Sequence, residues 1–557
     1  MATARIALSD TIYPFNQHIH PRPLSFLFCL MLLLGSAAGA RAQVTIHVPA
    51  DQPTIQKGID AAKKGDTVLV APGTYNEAID FEGKAITVES SGGPASTTIV
   101  WAYPPVLLGV FNLFTVTFQT NETRSSVLNG FTITGAGLPF DQFQKEVPQG
   151  LFDVAIGAVT GGIEVLNGAA PTIVNNIVTG NGCAGIFSIE GAPLIENNEI
   201  NNTIYPTFTG LLYSPGFDAC FSGPDPGPFS PPAFPNYGYP GTALWLGFSP
   251  KGKAPTPPAV VIGNTIEDNT FGAYYQALPV GTVDAYFDAP SGPNWQGNYY
   301  VIENNIVSNN VTNGYGGGMA LAAPGIVAQN LIYGNQSSFG AGGIIAFGPS
   351  FDLYPQIISA ANDGPASALI VNNLIANNSA TQDGSQLEVA DPTQLEFANN
   401  IIVGNDSHAA VYIDPNYFPL NFTQYGSPNQ GSYAQGIYLN DVVFDHNDIF
   451  NPAGTAFNGG GIVTDPTGTY GNISADPLFS NAANNDYQLQ SGSPAIDAGN
   501  TSALQQLANL GFGLTKDYAG NPRVQDATGT GYPIVDMGPY EFAGVQDSGA
   551  TTILLTP

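Results

Sequence analysis

Two aspartates, Asp391 and Asp414, have a spacing that could support acid chemistry. Each follows a short apolar segment, Gln386-Leu387-Glu388-Val389 in one case and Ala410-Val411-Tyr412-Ile413 in the other. If these segments are equivalent strands of neighbouring repeats, the carboxyls could approach the roughly 5–9.5 Å that separates the acid pairs of glycoside hydrolases. Their oxygens could equally bind Ca²⁺, which prefers carboxylate ligands. The alternative is that both are turn residues bonded to their own backbone.

Other catalytic groups are scarce. The chain has no Lys or Arg between Lys253 and Lys516, so its central part offers no basic side chain to abstract a proton. Glu164 and Glu388 are about six repeats apart, roughly 29 Å at the strand spacing, which is too far for a pair. Asp445-His446-Asn447-Asp448 is the remaining cluster with His beside acids, and a solvated turn is its simplest interpretation.

The elements that must position these residues are set by a repeated phrase: an asparagine, two apolar residues, a spacer and a second polar residue five places on. Successive anchors are separated by about one, two or three multiples of a unit of roughly 22–25 residues, which is typical of a solenoid. The anchors are Asn176, Asn198, Asn264, Asn305, Asn330, Asn373, Asn400 and Asn447. The second positions are Asn181, Thr203, Asn269, Asn310, Asn335, Asn378, Asn405 and Pro452.

The asparagines have a structural explanation. Asn tolerates the left-handed backbone region that tight corners need. Like positions of stacked coils lie about 4.8 Å apart, so amides can bond in ladders as in cross-β stacks. The anchors are therefore predicted to form a structural ladder with no chemistry of its own.

A second strand recurs between the anchors, and alternation by two places one of its residues on the outer face in each repeat. This predicted outer ladder contains Glu164, Phe187, Trp245, Tyr275, Ala320, Ile345, Glu388 and Tyr412. Exposed rings with polar neighbours suit the apolar faces of sugars, so Phe187, Trp245, Tyr275, Tyr412 and Glu388 are predicted to contact a glycan. The alternative is that inserted segments cover the rings as a satellite core. Predicted insertions span 204–240, 248–258, 277–298, 349–367 and 414–435.

Composition restricts the partners. The formal net charge of −30 repels nucleic acid and anionic membrane surfaces, and also anionic polysaccharide unless a divalent cation bridges the two. Residues 1–42 have the features of a secretory signal peptide: an apolar run from Phe26 to Leu34, too short to span a bilayer, and then Ala40-Arg41-Ala42. Cleavage leaves Cys183 and Cys220, and whether they pair stays open.

The segment after the signal carries a specific resemblance. Thr54-Ile55-Gln56, Ala61-Ala62, Gly65-Asp66-Thr67-Val68 and Ala71-Pro72-Gly73-Thr74-Tyr75 resemble the opening of secreted right-handed parallel β-helix proteins of the pectin-lyase-like superfamily. The resemblance implies an all-β solenoid over 43–470, with a capping helix at its N-terminal end. That superfamily includes polysaccharide lyases and hydrolases. The paired Asp, Gly-His-Gly and Arg-x-Lys of its polygalacturonases are missing here, so no catalytic residue carries over.

The pattern changes after about residue 471. Asp476-Pro477-Leu478-Phe479, Ser493-Pro494-Ala495-Ile496-Asp497 and Gly538-Pro539-Tyr540-Glu541-Phe542 resemble the choice-of-anchor Q module of bacterial surface proteins. The resemblance implies a C-terminal cap over 471–542, with Asp517 and Arg523 as a structural ion pair. Residues 543–557 are then a tail or the start of a further module.

Together these features predict a secreted or cell-surface β-helix protein, monomeric, without a cofactor apart from Ca²⁺ as an option. The first functional hypothesis is a non-catalytic protein that contacts a polysaccharide or other envelope glycan along the outer ladder. The alternatives are a polysaccharide lyase or glycoside hydrolase with an atypical acid site, and a structural stalk or adhesin. No nucleic acid partner and no membrane insertion after signal cleavage are expected.

Overall fold

A computed structural model gives the fold of the chain. It describes residues 42–102, 114–135, 161–182, 184–203, 242–248, 257–271, 283–287, 300–312, 314–321, 323, 325–347, 366–390, 393–414, 442–461, 463–529 and 531–544. Val44–Pro557 form one compact unit. Cys183, Cys220 and most of the predicted insertions lie outside the described residues.

Short parallel strands stack into three long sheets, and the chain visits them in a fixed order. Sheet 1 comprises Thr45–Val48, Thr67–Val70, Thr87–Ser90, Val127–Asn129, Thr172–Val174, Leu194–Glu196, Ala259–Ile262, Tyr300–Glu303, Gly325–Ala328, Ala366–Val371, Thr393–Ala398 and Val442–Asp445. Sheet 2 comprises Gly73–Asn76, Thr97–Val100, Thr132–Thr134, Ile177–Thr179, Glu199–Asn201, Thr265–Glu267, Ile306–Ser308, Leu331–Tyr333, Leu374–Ala376, Ile401–Val403 and Asp448–Phe450. Sheet 3 comprises Ile79–Asp80, Phe114–Phe118, Gly161–Val165, Ala184–Ile189, Thr242–Phe248, Val283–Phe287, Met319–Leu321, Ile344–Phe347, Leu387–Ala390, Val411–Asp414 and Phe457–Asn458.

One strand from each sheet makes a coil, and each coil pairs with the next in parallel register, which defines a right-handed parallel β-helix. The inward side chains form one continuous apolar core from Val48 to Phe457. The predicted fold class is confirmed. Sheet 1 has 12 strands, so the stack is about 53 Å long.

The anchor asparagines form the predicted ladder at the corner between sheets 1 and 2. At each step one Oδ1 accepts both the backbone N–H and the Nδ2–H of the preceding asparagine, at 2.8–3.0 Å. The members are the eight predicted residues, Asn176 to Asn447, followed by Asn472, which the sequence pattern missed. All are at most 2 % exposed.

The left-handed backbone of this corner belongs to the residue before each anchor, whereas the sequence interpretation gave it to the anchor. The nine positions are Asn175, Asn197, Gly263, Asn304, Gln329, Asn372, Asn399, His446 and Gly471, with φ between 52° and 73°. Each corner therefore uses two residues: the first turns the backbone through its left-handed conformation, and the second points its side-chain amide along the stack.

A second, shorter ladder follows the next corner and is formed by the second polar positions of the repeated phrase. Asn269, Asn310, Asn335 and Asn378 bond in sequence, and the Thr203 N–H donates to Asn269. Gln386 Oε1 accepts from Asn378 at the end of this ladder. Asn405, the second position of the next copy of the phrase, is exposed instead. A short fourth sheet of Thr270–Phe271, Val311–Thr312 and Gln336–Ser337 follows these residues.

The first helix, Ile55–Ala61, closes the N-terminal end of the core as predicted. Thr54 caps it, since its Oγ1 accepts from the Lys57 N–H at 3.1 Å. Ile55 and Ile59 are fully buried in the core that the coils share. The helix therefore covers the apolar end of the stack.

The C-terminal segment begins on the last coil, where Ile473 pairs with Asp448, and then lies along the side of the stack. It contains strands Phe479–Asn481 and Asp486–Leu489, a 3₁₀ turn at Ala482–Asn484, and helix Thr501–Asn509. Leu504 and Leu507 pack on outward residues of sheet 1. Tyr487 and Met537 pack on outward residues of sheet 2. The C-terminal segment thus covers part of the outward faces of sheets 1 and 2.

Hydrogen bonds fix this segment to the coils. Asn372 Nδ2 donates to the carbonyls of Asp536 and Gly538, at 3.0 and 3.1 Å. Asn399 exchanges bonds with the backbone of Asn500. The left-handed asparagines before two anchors therefore serve as docking points.

Inside the segment, Arg523 is buried and its guanidinium pairs with Glu541 at 3.3 Å. This differs from the predicted pairing with Asp517, whose carboxylate accepts from the Asn521 side chain and from the Asn521 and Glu541 N–H groups. Because the segment is buried on the coils, burial raises the pKa of Glu541 to about 9. Within the described residues, no helix is long and apolar enough to cross a membrane.

Replacing one ladder asparagine should destabilise the stack strongly. Asn330→Leu removes the acceptor of the buried Asn305 N–H, although Asn305 Nδ2 keeps the Val261 and Glu303 carbonyls, and it also removes the Asn330 Nδ2 donor from the ladder. We expect a loss of about 2–5 kcal/mol of unfolding free energy, measured by chemical denaturation. Asn484→Ala, at an exposed asparagine, is the control and should change it by less than about 0.5 kcal/mol. Equal effects of the two would contradict the ladder's role.

Candidate functional site

The outward face of sheet 3 carries one continuous column of residues in register. Each member pairs with the next across adjacent strands. The column is Asp80, Thr117, Glu164, Phe187, Trp245, Asp284, Ala320, Ile345, Glu388, Tyr412 and Asn458. We call it the outer column. The predicted outer ladder is confirmed at seven of its eight positions.

The exception is Tyr275. The strand that pairs with Thr242–Phe248 is Val283–Phe287, so Asp284 holds the position predicted for Tyr275. Tyr275 itself lies outside the described residues. The error came from Ala273-Tyr274-Tyr275-Gln276, which has the same alternation as the true strand ten residues later. Part of the predicted insertion 277–298 is consequently a strand.

The aromatic part of the column is buried, contrary to the expected exposure. Phe187 and Trp245 are 5 % and 6 % exposed. Their rings stack with centroids 6.4 Å apart, and Phe114 stacks on Phe187 at 6.0 Å. These residues form a small apolar cluster outside the main core. The covering alternative therefore describes Phe187 and Trp245 better than open glycan contact.

Chain connectivity places the long connections on the two flanks of the column. Residues 249–258, 288–299, 348–365 and 415–441 each join a sheet 3 strand to the next sheet 1 strand, as the insertion pattern predicted. Residues 202–241 enter sheet 3 from the opposite flank. No other side of the coils carries connections of this length among the bounds of the described strands.

Carboxyl groups lie near both ends of the column. Near the N-terminal end, burial and the negative charge of Asp80 raise the pKa of Glu164 to about 7. Asp80 accepts from Gln119 Nε2 at 2.7 Å. The register puts six steps between Glu164 and Glu388, about 29 Å, which confirms that they are not a catalytic pair.

The C-terminal end of the column is richer in polar groups. Glu388 is 2 % exposed and lies in register between Ile345 and Tyr412. Tyr412 and Asp414 are half-buried, and alternation puts them on the same face. Burial, then the charges of Asp414 and of Asp383, raise the pKa of Glu388 well above its usual value of 4.5. The Glu388 carboxyl is consequently harder to ionise than an exposed glutamate, and two further carboxyls lie near it.

Asp383 is the member of this group that the sequence did not reveal. It precedes the strand by four residues, and its two oxygens accept from the Ala409 N–H and from Asn458 Nδ2, both at 2.9 Å. It therefore links three successive coils. The Asp383-Gly384 turn before the strand was the available signal, and Gly384 has a left-handed φ of 80°.

Two glycines give the acidic group its space. A methyl group on Gly340 would overlap Glu388 Oε2, and one on Gly384 would lie 3.1 Å from Cβ of both Glu388 and Tyr412. The group of Glu388, Asp383, Asp414, Tyr412 and Asn458 is called the Tyr412 site below. Its floor is the buried Glu388, and its other members are half-buried.

The structure describes only one member of the predicted Asp391–Asp414 pair. Asp414 ends the strand Val411–Asp414, while Asp391 lies outside the described residues. Among the residues that are described, no three His, Cys, Asp or Glu side chains are placed to share one metal ion. Catalysis and Ca²⁺ binding by Asp391 and Asp414 stay predictions.

The His446 cluster has a structural role. His446 occupies a left-handed position before an anchor, with φ of 53°. Its Nδ1 is 2.7 Å from Asp445 Oδ1, and Asn500 Nδ2 donates to the other Asp445 oxygen. The pair therefore orients a corner residue and docks the C-terminal segment.

The stacked sheets thus define the class of the molecule as a right-handed parallel β-helix protein. No known protein family matches the sequence, and no curated protein matches it. Three solved structures resemble it distantly. Pectate lyase Pel9A is 13% identical, covering 90% of this chain and 97% of that one, with a TM-score of 0.43. XylC in complex with xylose is 12% identical, covering 86% of this chain and 67% of that one, with a TM-score of 0.35. A pectin methylesterase from carrot is 11% identical, covering 79% of this chain and 90% of that one, with a TM-score of 0.21. These values carry no argument about activity.

The pH dependence of the unfolding free energy should reveal the burial of the Glu388 carboxyl. The folded state holds the Glu388 proton more tightly than the unfolded chain, so the wild type loses stability as pH rises from about 4.5 through the raised pKa. Glu388→Gln removes this loss. We expect similar stability at pH 4 and a variant more stable by about 1–3 kcal/mol at pH 8.5, measured by denaturant titration.

The control is Asn484→Ala, at an exposed asparagine that does not titrate. Its difference from the wild type should be the same at both pH values. A pH-independent difference for Glu388→Gln as well would contradict the raised pKa of Glu388.

Proposed function

We propose that this is an exported, non-catalytic β-helix protein that contacts a glycan at the Tyr412 site. The observation that carries the proposal is the half-buried Tyr412 ring, in register between the Glu388 carboxyl and the Asn458 amide. Aromatic faces pack on the apolar faces of sugars, and a few fixed polar groups orient a ligand. Asp383, Asp414 and Asn458 supply such groups for sugar hydroxyls.

The rest of the outer column has a lesser place in this proposal. Phe187 and Trp245 are buried, so they would contact a glycan only if their covering moved. Residues 1–42 as a signal peptide and 471–542 as a choice-of-anchor Q-like module support export and surface attachment, and both belong to the proposal. A monomer is expected.

A glycoside hydrolase is the second candidate, because of one specific observation. Burial and nearby carboxyls raise the pKa of Glu388 above its usual value, and a carboxyl of raised pKa near an ionised one is the arrangement that protonates a leaving group and activates water. Its 2 % exposure argues for a binding floor in preference to a proton donor to substrate. A stalk or adhesin without a glycan is the third candidate.

Glycan binding should depend on Tyr412. Tyr412→Ala removes the stacking face and should weaken retention on a polysaccharide panel by about tenfold, measured by affinity electrophoresis. Tyr470→Ala, at a tyrosine 79 % exposed on another part of the stack, is the control and should bind as the wild type. Equal binding by both variants would remove Tyr412 from the site.

The same panel separates binding from turnover. We expect no new reducing ends and no unsaturated products after prolonged incubation, with or without Ca²⁺. Turnover that Glu388→Gln abolishes would establish the hydrolase, and retention of no glycan at all would favour the stalk.

A further inference from the structure

We propose that the last strand of sheet 1, Val442–Asp445, is a docking site for one further strand, and that residues 551–555 of this chain occupy it. These residues belong to the tail, 545–557, which lies outside the described residues. The inference goes beyond the proposed function, because it concerns how the stack of coils ends and not what the outer column binds.

Val442–Asp445 is an edge strand, because it pairs with one neighbouring strand only among the described residues. Asp445 bonds toward that neighbour, since its carbonyl accepts from the Asn399 N–H at 3.2 Å. The backbone groups of successive residues alternate in direction, so those of Val442 and Phe444 point to the open side. Within the described chain, nothing bonds to the Val442 N–H, the Val442 carbonyl or the Phe444 N–H.

The rest of this edge is already completed by the chain. Asn472 Nδ2 donates to the Phe444 carbonyl at 2.8 Å, and the His446 N–H donates to the Tyr470 carbonyl at 2.9 Å. The open part is therefore short, and it offers two donors and one acceptor. A single short strand can satisfy all three.

The opposite end of sheet 1 shows how this chain closes an edge. There a turn at Asp51 bonds both backbone groups of His47: the Asp51 carboxylate accepts from its N–H at 2.8 Å, and the Asp51 N–H donates to its carbonyl at 2.7 Å. An open edge is a template for pairing, and native proteins usually cover it. A strand beside Val442 would cover the C-terminal edge in the same sense.

The side chains beside the open edge also favour an added strand. Val443 ends a column of outward residues on sheet 1. In that column Val301, Ile326 and Leu369 are at most 7 % exposed under the C-terminal segment, whereas Val443 is 49 % exposed. An apolar residue in register on a further strand would pack on Val443.

The tail has the composition that such a strand requires. Thr551-Thr552-Ile553-Leu554-Leu555 is β-branched and apolar, and it is bounded by Gly549 and Pro557. Residues 548–557 have no charged side chain, in a chain whose formal net charge is −30. A second copy of the chain would bring its own negative charge to this edge, whereas the tail would not.

A series of contacts joins the start of the tail to the open edge. A methyl group on Gly544, the last described residue, would lie 3.5 Å from the Ala527 carbonyl oxygen. The Ala527 N–H donates to Asp497, and Asn500, three residues on, donates through its side chain to Asp445. The six residues between the segment and the strand can span about 20 Å. Because edge and strand belong to one chain, they meet at a high effective concentration.

Photocrosslinking on the full chain identifies the occupant. The photoreactive p-benzoylphenylalanine replaces Val443, whose exposure leaves room for it, or replaces Val311, which is exposed on the fourth sheet and is the control. We expect the Val443 protein to form an intramolecular crosslink to residues 551–555, mapped by mass spectrometry. The Val311 protein should give at least tenfold less of this product.

Hydrogen exchange tests the bonds themselves. In the full chain we expect the Val442 and Phe444 amides to be protected. They should exchange at least tenfold faster in a chain that ends at Gly544, and also in Ile553→Pro, because proline lacks an N–H and interrupts a strand.

Ser548→Pro is the matched control, since it places the same residue in the linker before the strand. It should keep the protection of both amides. The Val443 and Asp445 amides bond to the neighbouring strand of sheet 1 and should be protected in every variant.

Each contrary result overturns a definite part of the inference. Rapid exchange at Val442 and Phe444 in the full chain would overturn the docking site. Protection that survives removal of the tail would overturn the tail as the occupant, and a covalent dimer as the main photoproduct would replace it with a second copy. Glycan binding through Tyr412 is measured separately, so the inference and the proposed function can fail independently.

Discussion

The whole structure depends on a buried amide that only the next coil can satisfy. Each ladder asparagine is at most 2 % exposed, so its polar atoms have no access to bulk water. They bond because another asparagine lies one strand spacing further along, in the same orientation. An error of one residue in any coil would leave buried donors without acceptors on both sides. The ladder therefore fixes register for all three sheets, including the outer column, although it contacts no ligand.

Much of the fold could be predicted from sequence because this constraint is local and periodic. The spacing of Asn176 through Asn447 gave the coils, and alternation gave seven positions of the outer column. Periodicity also explains the error at Tyr275. Two segments with the same alternation stand within one coil, and only pairing with Thr242–Phe248 decides between them. The sequence pattern missed Asn472 because the residues after it do not repeat the full phrase.

The candidate site was less predictable, since its features depend on neighbours far apart in sequence. Outward direction was readable for Phe187 and Trp245, but exposure was not, because exposure depends on what lies over a strand. Glu388 was placed on the right face, yet its raised pKa follows from burial and from the charges of Asp414 and Asp383, and Asp383 lies in a turn. Asp383 contacts Asn458, 75 residues later, and no spacing rule links the two.

The C-terminal segment has a mechanical consequence. It stacks on the last coil through Asn472 and then runs back along the coils from Val301 to Ile401, where it is fastened at Asn372 and Asn399. A pull on the chain beyond residue 542 would load these coils in parallel, in shear. A solenoid pulled at its terminal coil unravels one rung at a time. Here the force would enter through several coils of the C-terminal part of the stack at once.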